Sequence, residues 1–334
     1  MVKIAFFDAK LYDIDTFGKV KKGFDFKISY FKGHLTPETA PLTKGYQVVC
    51  VFVNDTVDKE TIDILHDNGV ALIALRAAGY NNVDLKSLFK RIPVVRVPAY
   101  SPYAVAELAL TLMLALNRKV HRAYFRTRDN NFTLNGLLGF DMHGKTVGII
   151  GTGKIGKVAI NILKGFGMRV LAYDISPDKE FQKNAAFEYV DLDGLYQQSD
   201  IISLHCPLTK ESYHLINEAS IAKMKTGIMI INTGRGMLID SKALVEGLKT
   251  GQVGFAGLDV YEEESEYFFE DFSNKVITDD VLARLLSFNN VMITSHQGFF
   301  TQEAMSSIAD TTMQNIQDFF VEHKLSNEIC YKCS

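Results

Sequence analysis

The sequence predicts an α/β protein made of two doubly wound parallel-sheet domains. Three observations carry that prediction. Short β-rich apolar runs alternate with helical patterns over residues 1–100, the alternation restarts after a polar stretch at 127–145, and a glycine turn at 151–156 joins a strand to a helix within the second series.

In the first series the strand candidates are "KIAFFD" (3–8), "FKISYF" (26–31), "VVCVFV" (48–53), "VALIAL" (70–75) and "VVRVP" (94–98). Between the third and fourth, "DKETIDILHDNG" has an acidic first turn, apolar Ile62 and Leu65, and a stop at Gly69, which predicts a helix. From Ser101, a capping serine and Pro102 at the first helical position open a long apolar helix carrying Val105, Leu108, Ala109, Leu112, Met113 and Leu116. The pattern suits a helix buried between two bodies and equally the core of one. The second series runs through "TVGIIG", "VLAYD", "DIISLHCPL", "IMIINTGRG", "GFAGLDVY" and "NVMITSHQG". From Thr301 the chain reads as helix and then ends, too short a remainder for a third domain and expected to pack on one already built.

Bulk properties exclude several classes. The chain has 334 residues, 47% hydrophobic and 22% charged, an ordinary globular composition with length for two domains. A net charge of -3 leaves no basic footprint, so nucleic acid is not an expected partner. No stretch approaches the roughly 18 uncharged apolar residues of a membrane helix. The nearest is Leu108–Leu116, and the N-terminal apolar run is broken by Asp8, so neither membrane nor leader is expected and the reading is cytoplasmic. Four cysteines are too few for a disulfide framework. Cys330 and Cys333 form a lone C-x-x-C read as two thiols on a loose tail, with no metal site.

The chemistry concentrates at strand ends. In Gly151-Thr152-Gly153-Lys154-Ile155-Gly156 the first glycine allows a tight turn, the second close approach of backbone to a pyrophosphate, and the third helix–strand packing. Asp174 ends the next strand, where a carboxylate accepts hydrogen bonds from the adenosine ribose hydroxyls and repels a 2′-phosphate; a plain turn aspartate is the bland alternative. Three further polar residues follow later strands: Arg235 in "NTGRG", Glu264 in "DVYEEES" and His296 in "TSHQG". An arginine can clamp a carboxylate, a histidine can exchange a proton near neutral pH, and a carboxylate can orient it, which together suit reduction of a 2-keto acid. From pattern alone the same residues also fit a structural histidine and a solvated acidic loop.

Seven stretches in order, "LRAAGYNNVD" (75–84), "RVPAYSPYAVAELAL" (96–110), "GKTVGIIGTGKIG" (144–156), "ISLHCPLT" (202–209), "MIINTGRGMLID" (229–240), "GLDVYEEE" (257–264) and "TSHQGF" (294–299), resemble the D-2-hydroxyacid dehydrogenase family. Within it, the chain is most similar to the fermentative bacterial D-lactate dehydrogenases. The resemblance implies two Rossmann-like or flavodoxin-like domains with a cleft between them. An NAD-binding domain (100–296) is inserted into a discontinuous substrate domain (1–99 and 297–334). It also implies reversible reduction of pyruvate by NADH and a homo-oligomer, dimer or tetramer.

By the same resemblance Arg235 binds the substrate carboxylate, His296 is the acid/base and Glu264 its partner, chosen among three consecutive glutamates by counting from Asp259. Backbone amides of Ala78 and Gly79 hold the carboxylate from the other side, and Tyr100 and Phe299 wall the pocket. The implied cofactor contacts are Thr152, Gly153, Lys154, Ile155, Asp174, Cys206, Pro207, Thr233, Gly234 and Asp259. Relatives commonly carry serine and alanine where this chain has Gly234 and Gly298, which suggests more permissive backbone at both loops. Two other functions stay open: a family member acting on a bulkier 2-keto acid or on hydroxypyruvate, and an NADH-sensing binding protein.

Overall fold

Parallel strands covered on both faces need apolar side chains on both, and the central strand segments here, such as VVCV, LIAL and IMIIN, are mostly apolar runs for that reason. The computed structural model describes residues 1–332. The chain begins with β1 (Val2–Phe6), α1 (Leu11–Val20), β2 (Phe26–Tyr30), β3 (Val48–Val51), α2 (Lys59–Asp67), β4 (Leu72–Leu75), α3 (Leu85–Leu88) and β5 (Val94–Arg96). Next come α4 (Pro102–Arg118), α5 (Val120–Arg128), β6 (Thr146–Ile150), α6 (Lys154–Gly165), β7 (Arg169–Tyr173), α7 (Lys179–Ala185), β8 (Glu188–Tyr189), α8 (Leu192–Gln198) and β9 (Ile201–Leu204). After these follow α9 (Glu218–Lys223), β10 (Ile228–Asn232), α10 (Ser241–Thr250), β11 (Val253–Leu258), α11 (Asp280–Ser287), β12 (Val291–Ile293), α12 (Gln302–Gln317) and β13 (Glu328–Ile329).

The chain divides into two compact units, Met1–Ser101 with Phe300–Ser334, and Pro102–Phe299. In the first unit the sheet order is β13-β5-β4-β3-β1-β2, parallel throughout except for β13, which runs antiparallel to β5. Leaving β13 aside, this is the flavodoxin-like order, reversing between β1 and β3. Its core combines Ile4, Phe6, Phe17, Val48 and Leu72 with Ala309, Met313 and Ile316, so α12 packs on this sheet. The tail is less loose than the sequence suggested: pairing of β13 with β5 holds Glu328 and Ile329 to the sheet edge. Cys330 is disulfide-bonded rather than a free thiol, and Cys333 lies outside the described residues.

The second unit has seven strands in the order β12-β11-β10-β9-β6-β7-β8, all parallel. Counted from β6, this is the Rossmann order with a seventh strand added, reversing between β6 and β9. Helices cover both faces. Ala106, Ala109, Leu112, Met113 and Leu116 of α4 pack with Ala159, Ile160 and Leu163 of α6 on one side; Leu195, Ile221, Leu244, Leu248, Leu282 and Leu285 cover the other. The long apolar helix expected after Ser101 is thus α4, a core helix of the second unit.

Among the described residues no helix is long and apolar enough to cross a membrane.

Candidate active site

In the second unit, ligands are expected at the carboxyl ends of β6 and β9, where the strand order reverses. The turn after β6 is set by packing. Gly151 has φ +97, and a Cβ there would lie 2.6 Å from the Cys206 amide nitrogen; a Cβ on Gly156 would overlap the Gly151 carbonyl. At Gly153 a Cβ would meet nothing within 4 Å, so backbone is presented to open space. Gly153 also begins α6 without a side-chain cap, whereas Asp58, Asp191 and Asp240 cap α2, α8 and α10. The first-turn amides of α6, with Lys154 exposed and Ile155 half-buried beside them, are therefore available to a phosphate.

Asp174, after β7, is more constrained than a turn residue. Its Oδ1 accepts from Ser176 N at 2.8 Å, as an Asx-turn would, while Oδ2 accepts from Thr152 N at 2.6 Å and from the Thr152 hydroxyl at 2.9 Å. Partial burial pushes its pKa up, but these hydrogen bonds and Lys157 outweigh it and hold the carboxyl below its ordinary value. A charged acceptor is thus fixed against the glycine turn. Across the reversal, Cys206 is half-buried with its thiol pushed up to about 11 by burial, and Pro207 is exposed. Thr233, after β10, is buried with no partner for its hydroxyl among the described residues. These residues fit a dinucleotide: uncapped amides for phosphate, a fixed carboxylate for ribose hydroxyls and an orphaned hydroxyl beyond.

The loop after β10 carries Arg235. Buried Asn232 brackets it, with Oδ1 accepting from Gly234 N at 3.0 Å and Nδ2 donating to the Arg235 carbonyl at 2.8 Å. Arg235 Nη1 donates to the Gly234 carbonyl at 2.7 Å. Neither flanking glycine uses the permissive backbone that glycine offers, since neither has a positive φ. Gly234 has ordinary φ and only van der Waals neighbours, whereas at Gly236 a Cβ would overlap the Tyr261 carbonyl. Gly236 therefore lets the arginine loop lie against the loop after β11.

That second loop resolves the run of glutamates. Glu262 Oε1 lies 2.6 Å from His214 Nε2, and its Oε2 accepts from Ser241 N at 2.9 Å. Glu263 is exposed. Glu264 Oε1 lies 2.8 Å from His296 Nδ1, and its Oε2 accepts from Tyr261 N at 2.9 Å. Glu264 and His296 are each about a quarter exposed, so the pair is sheltered yet reachable. The imidazole Nε2 has no partner among the described residues, which leaves it to a substrate.

The backbone at His296 is itself unusual, with φ 52, a left-handed conformation that costs a non-glycine residue about 1–3 kcal/mol. Asp259 holds it there. His296 N donates to the Asp259 carbonyl at 2.7 Å; Oδ1 accepts from the Thr294 hydroxyl at 2.6 Å and from Gln297 N at 2.9 Å, and Oδ2 accepts from Gly298 N at 2.8 Å. Asp259 is fully buried, and burial raises its pKa against those bonds. Gly298 also has ordinary φ, so the strain falls on the histidine and not on the glycine the sequence pointed to. Phe299 is buried, and the Phe269 ring lies 6.4 Å from it and 6.0 Å from the imidazole. Phe269, Asn232 and the tethering role of Asp259 escaped the sequence reading. A left-handed phenylalanine within a segment that reads as solvated carries no signal.

In the first unit the loop after β4 carries half-buried Ala78 and Gly79. The Ala77 carbonyl accepts from Val97 N at 3.2 Å, and the Ala78 carbonyl accepts from Arg96 Nη1 at 2.6 Å. Across a trans peptide the N–H points opposite to the C=O. The Ala78 amide therefore points away from Val97 and the Gly79 amide away from the Arg96 guanidinium, and neither donates to any group among the described residues. Two adjacent amides without a partner among the described residues are donors available to an anion. Tyr100, expected to wall the pocket, is half-buried at the end of the same unit.

Residues 110–298 match the family described as D-isomer specific 2-hydroxyacid dehydrogenase, NAD binding domain. The D-lactate dehydrogenase of Escherichia coli is 51% identical over 329 residues, covering 98% of this chain and 100% of that one. A 2-hydroxyacid dehydrogenase homolog of Schizosaccharomyces pombe is 52% identical over 320 residues, covering 95% and 96%. The chain belongs to the D-isomer specific 2-hydroxyacid dehydrogenases. The solved structure of the pyruvate reductase of Chlamydomonas reinhardtii superposes with a TM-score of 0.94 at 43% identity, covering 98% of each chain. As a member of this family the protein is an NAD-dependent oxidoreductase, and the uncapped α6 with Asp174 offers the donors and the acceptor that a dinucleotide needs.

Proposed function

We propose that the protein is an NAD-dependent D-lactate dehydrogenase that reduces pyruvate to D-lactate. The observation that carries the reading is the Glu264–His296 pair at 2.8 Å, held on a strained loop with Nε2 free. The first-turn amides of α6 and Asp174 would hold NADH, which would supply a hydride for the keto carbon. Arg235 holds the substrate carboxylate with its guanidinium fork, and the family resemblance assigns the Ala78 and Gly79 amides to carboxylate binding as well. As the carbonyl π pair moves onto oxygen, His296 gives that oxygen the proton on Nε2. Glu264 accepts from Nδ1 before and after, so the ring keeps one orientation. In the reverse direction neutral His296 takes the hydroxyl proton back. Phe299 and Phe269 exclude water beside the imidazole and favour a small side chain on the substrate. The names of the relatives, a D-lactate dehydrogenase and a pyruvate reductase, support the same substrate.

The test is loss of NADH absorbance on adding pyruvate, with the product's configuration fixed by chiral chromatography. Higher kcat/KM for phenylpyruvate or hydroxypyruvate than for pyruvate would overturn the substrate, and NADH binding without turnover would overturn the enzyme reading.

NADH does not cross membranes, so the enzyme belongs where the cofactor pool is, in the cytoplasm. Helix α5 has no buried residue, and Val120, Tyr124, Phe125, Phe132, Leu134 and Leu138 are between 54% and 88% exposed, an apolar surface that a second copy of the chain would cover. Light scattering giving a dimer or tetramer is the expected result, and a monomer at micromolar concentration would remove it.

A further inference from the structure

The Ala78–Gly79 peptide is held by a side chain that no motif drew attention to. Arg96, the last residue of β5, donates from Nη1 to the Ala78 carbonyl at 2.6 Å, and its guanidinium lies 5.1 Å from the centre of the Tyr80 ring. One arginine thus grips the loop at two points, flanking Gly79. Its own backbone is fixed on both sides. Arg96 N donates to the Asn327 carbonyl at 3.1 Å, and the Arg96 carbonyl accepts from Asn315 Nδ2 at 2.9 Å. Asn327 Nδ2 closes the ring by donating to Asn315 Oδ1 at 2.8 Å. Asn315 is buried on α12, and Asn327 sits in a left-handed turn just before β13. A charged donor is therefore carried by the sheet, the last helix and the C-terminal segment together.

We infer that Arg96 is a positioning residue for the substrate carboxylate: by holding the Ala78 carbonyl it orients and polarises the peptide whose N–H, that of Gly79, meets the carboxylate. Rotation of that peptide would swing the Gly79 N–H away from the anion and turn a carbonyl oxygen toward it, exchanging attraction for repulsion. A cation on the carbonyl opposes that rotation. It also strengthens the N–H as a donor, since hydrogen bonds in a chain polarise one another. The cation–π contact with the Tyr80 ring adds a second restraint on the guanidinium. The inference rests on the reading that the Ala78 and Gly79 amides bind the substrate carboxylate.

The experiment compares the unmodified enzyme with Arg96→Met and Arg96→Lys by steady-state pyruvate reduction, NADH dissociation constant and melting temperature. For Arg96→Met the KM for pyruvate is expected to rise about 10-fold or more, the scale of one hydrogen bond to a charged group. The inhibition constant of oxamate, which carries the same carboxylate, should rise in parallel, while NADH affinity stays unchanged. Arg96→Lys, which keeps a charged donor, should recover part of the loss, and it keeps the question open to measurement if the methionine variant does not fold. A lowered kcat with unchanged KM and oxamate inhibition in the lysine variant would mean only a smaller active fraction, and would overturn the inference while leaving the pyruvate reading intact. If the unmodified enzyme turned over no 2-keto acid, the reading itself would fall and the inference with it.

Discussion

At position 296 a histidine occupies left-handed backbone, and its neighbours repay that strain: Asp259 takes three hydrogen bonds from the same loop on its carboxylate and one on its carbonyl. The site is preorganised at the level of single residues, so single substitutions should separate its parts. Arg235→Lys keeps a charge but loses the planar fork, so KM for pyruvate should rise and kcat fall; unchanged constants would remove Arg235 from the site. Asp174→Ala removes a carboxylate that Thr152 and Ser176 hold charged, so the preference for NADH over NADPH should narrow, read as the ratio of the two kcat/KM values. An unmodified enzyme that used both equally would show that Asp174 does not face the ribose. Residue identity was legible where chemistry restricts it. Arg235, Glu264 and His296 follow strands in the sequence, and the structure brings Glu264 and His296 together. Glu262 could not be set apart from Glu264 by pattern, because what divides them is which histidine each one meets.

At the scale of elements, loops touch through glycines that the sequence marks without explaining. The required contact is Gly236 against the Tyr261 carbonyl, which joins the arginine loop after β10 to the glutamate loop after β11. Gly236→Ala should therefore displace both, lowering kcat and raising KM for pyruvate together by about 10-fold or more each, since misplacement of about 1 Å can cost about 100-fold. Alanine at Gly234, where only ordinary contacts await a Cβ, should be nearly neutral, and equal effects at the two positions would refute the packing argument. Most strands could be read because burial on both faces makes them apolar throughout. The two-residue strands β8 and β13 could not, for a ladder that short is imposed by its neighbour rather than by its own residues. Helix α1 is faint in the sequence because its apolar stripe is weak: among its residues only Asp13 and Phe17 are buried, and one of those is an acid.

Over the whole molecule, each unit has its own core, and the first contains a charged centre that no periodicity announces. Arg76 is 3% exposed, with its guanidinium 4.3 Å from the Phe6 ring centre and 4.9 Å from that of Phe52. Its Nη2 donates to the Asp8 carbonyl at 2.9 Å, and Nε lies 3.6 Å from Asp13 Oδ1. Asp55, buried beside them, accepts from Leu35 N and Phe52 N, each at 2.6 Å. Burial pushes Asp55 up from 3.8 to about 6 and raises Asp13 as well, while Arg76 pulls both down. A carboxyl whose folded pKa exceeds its unfolded one binds its proton more tightly when folded. Its contribution to stability is full below the unfolded value and is lost as pH rises through the folded one, here between about 4 and 6 for Asp55. Arg76→Met keeps the apolar stem between the two rings and removes the cation. The carboxylates then lose their compensating charge, their folded pKa values rise further, and the loss continues to higher pH. The variant should be destabilised by about 3–5 kcal/mol near pH 8, the usual cost of stranding a buried charge, and by clearly less at pH 5, where protonation relieves it. Hydrogen exchange of amides in β1 and β3 at the two pH values reads the first unit alone. A penalty equal at both, or larger at pH 5, would show that Arg76 stabilises this core by packing against Phe6 and Phe52 and not by balancing its acids.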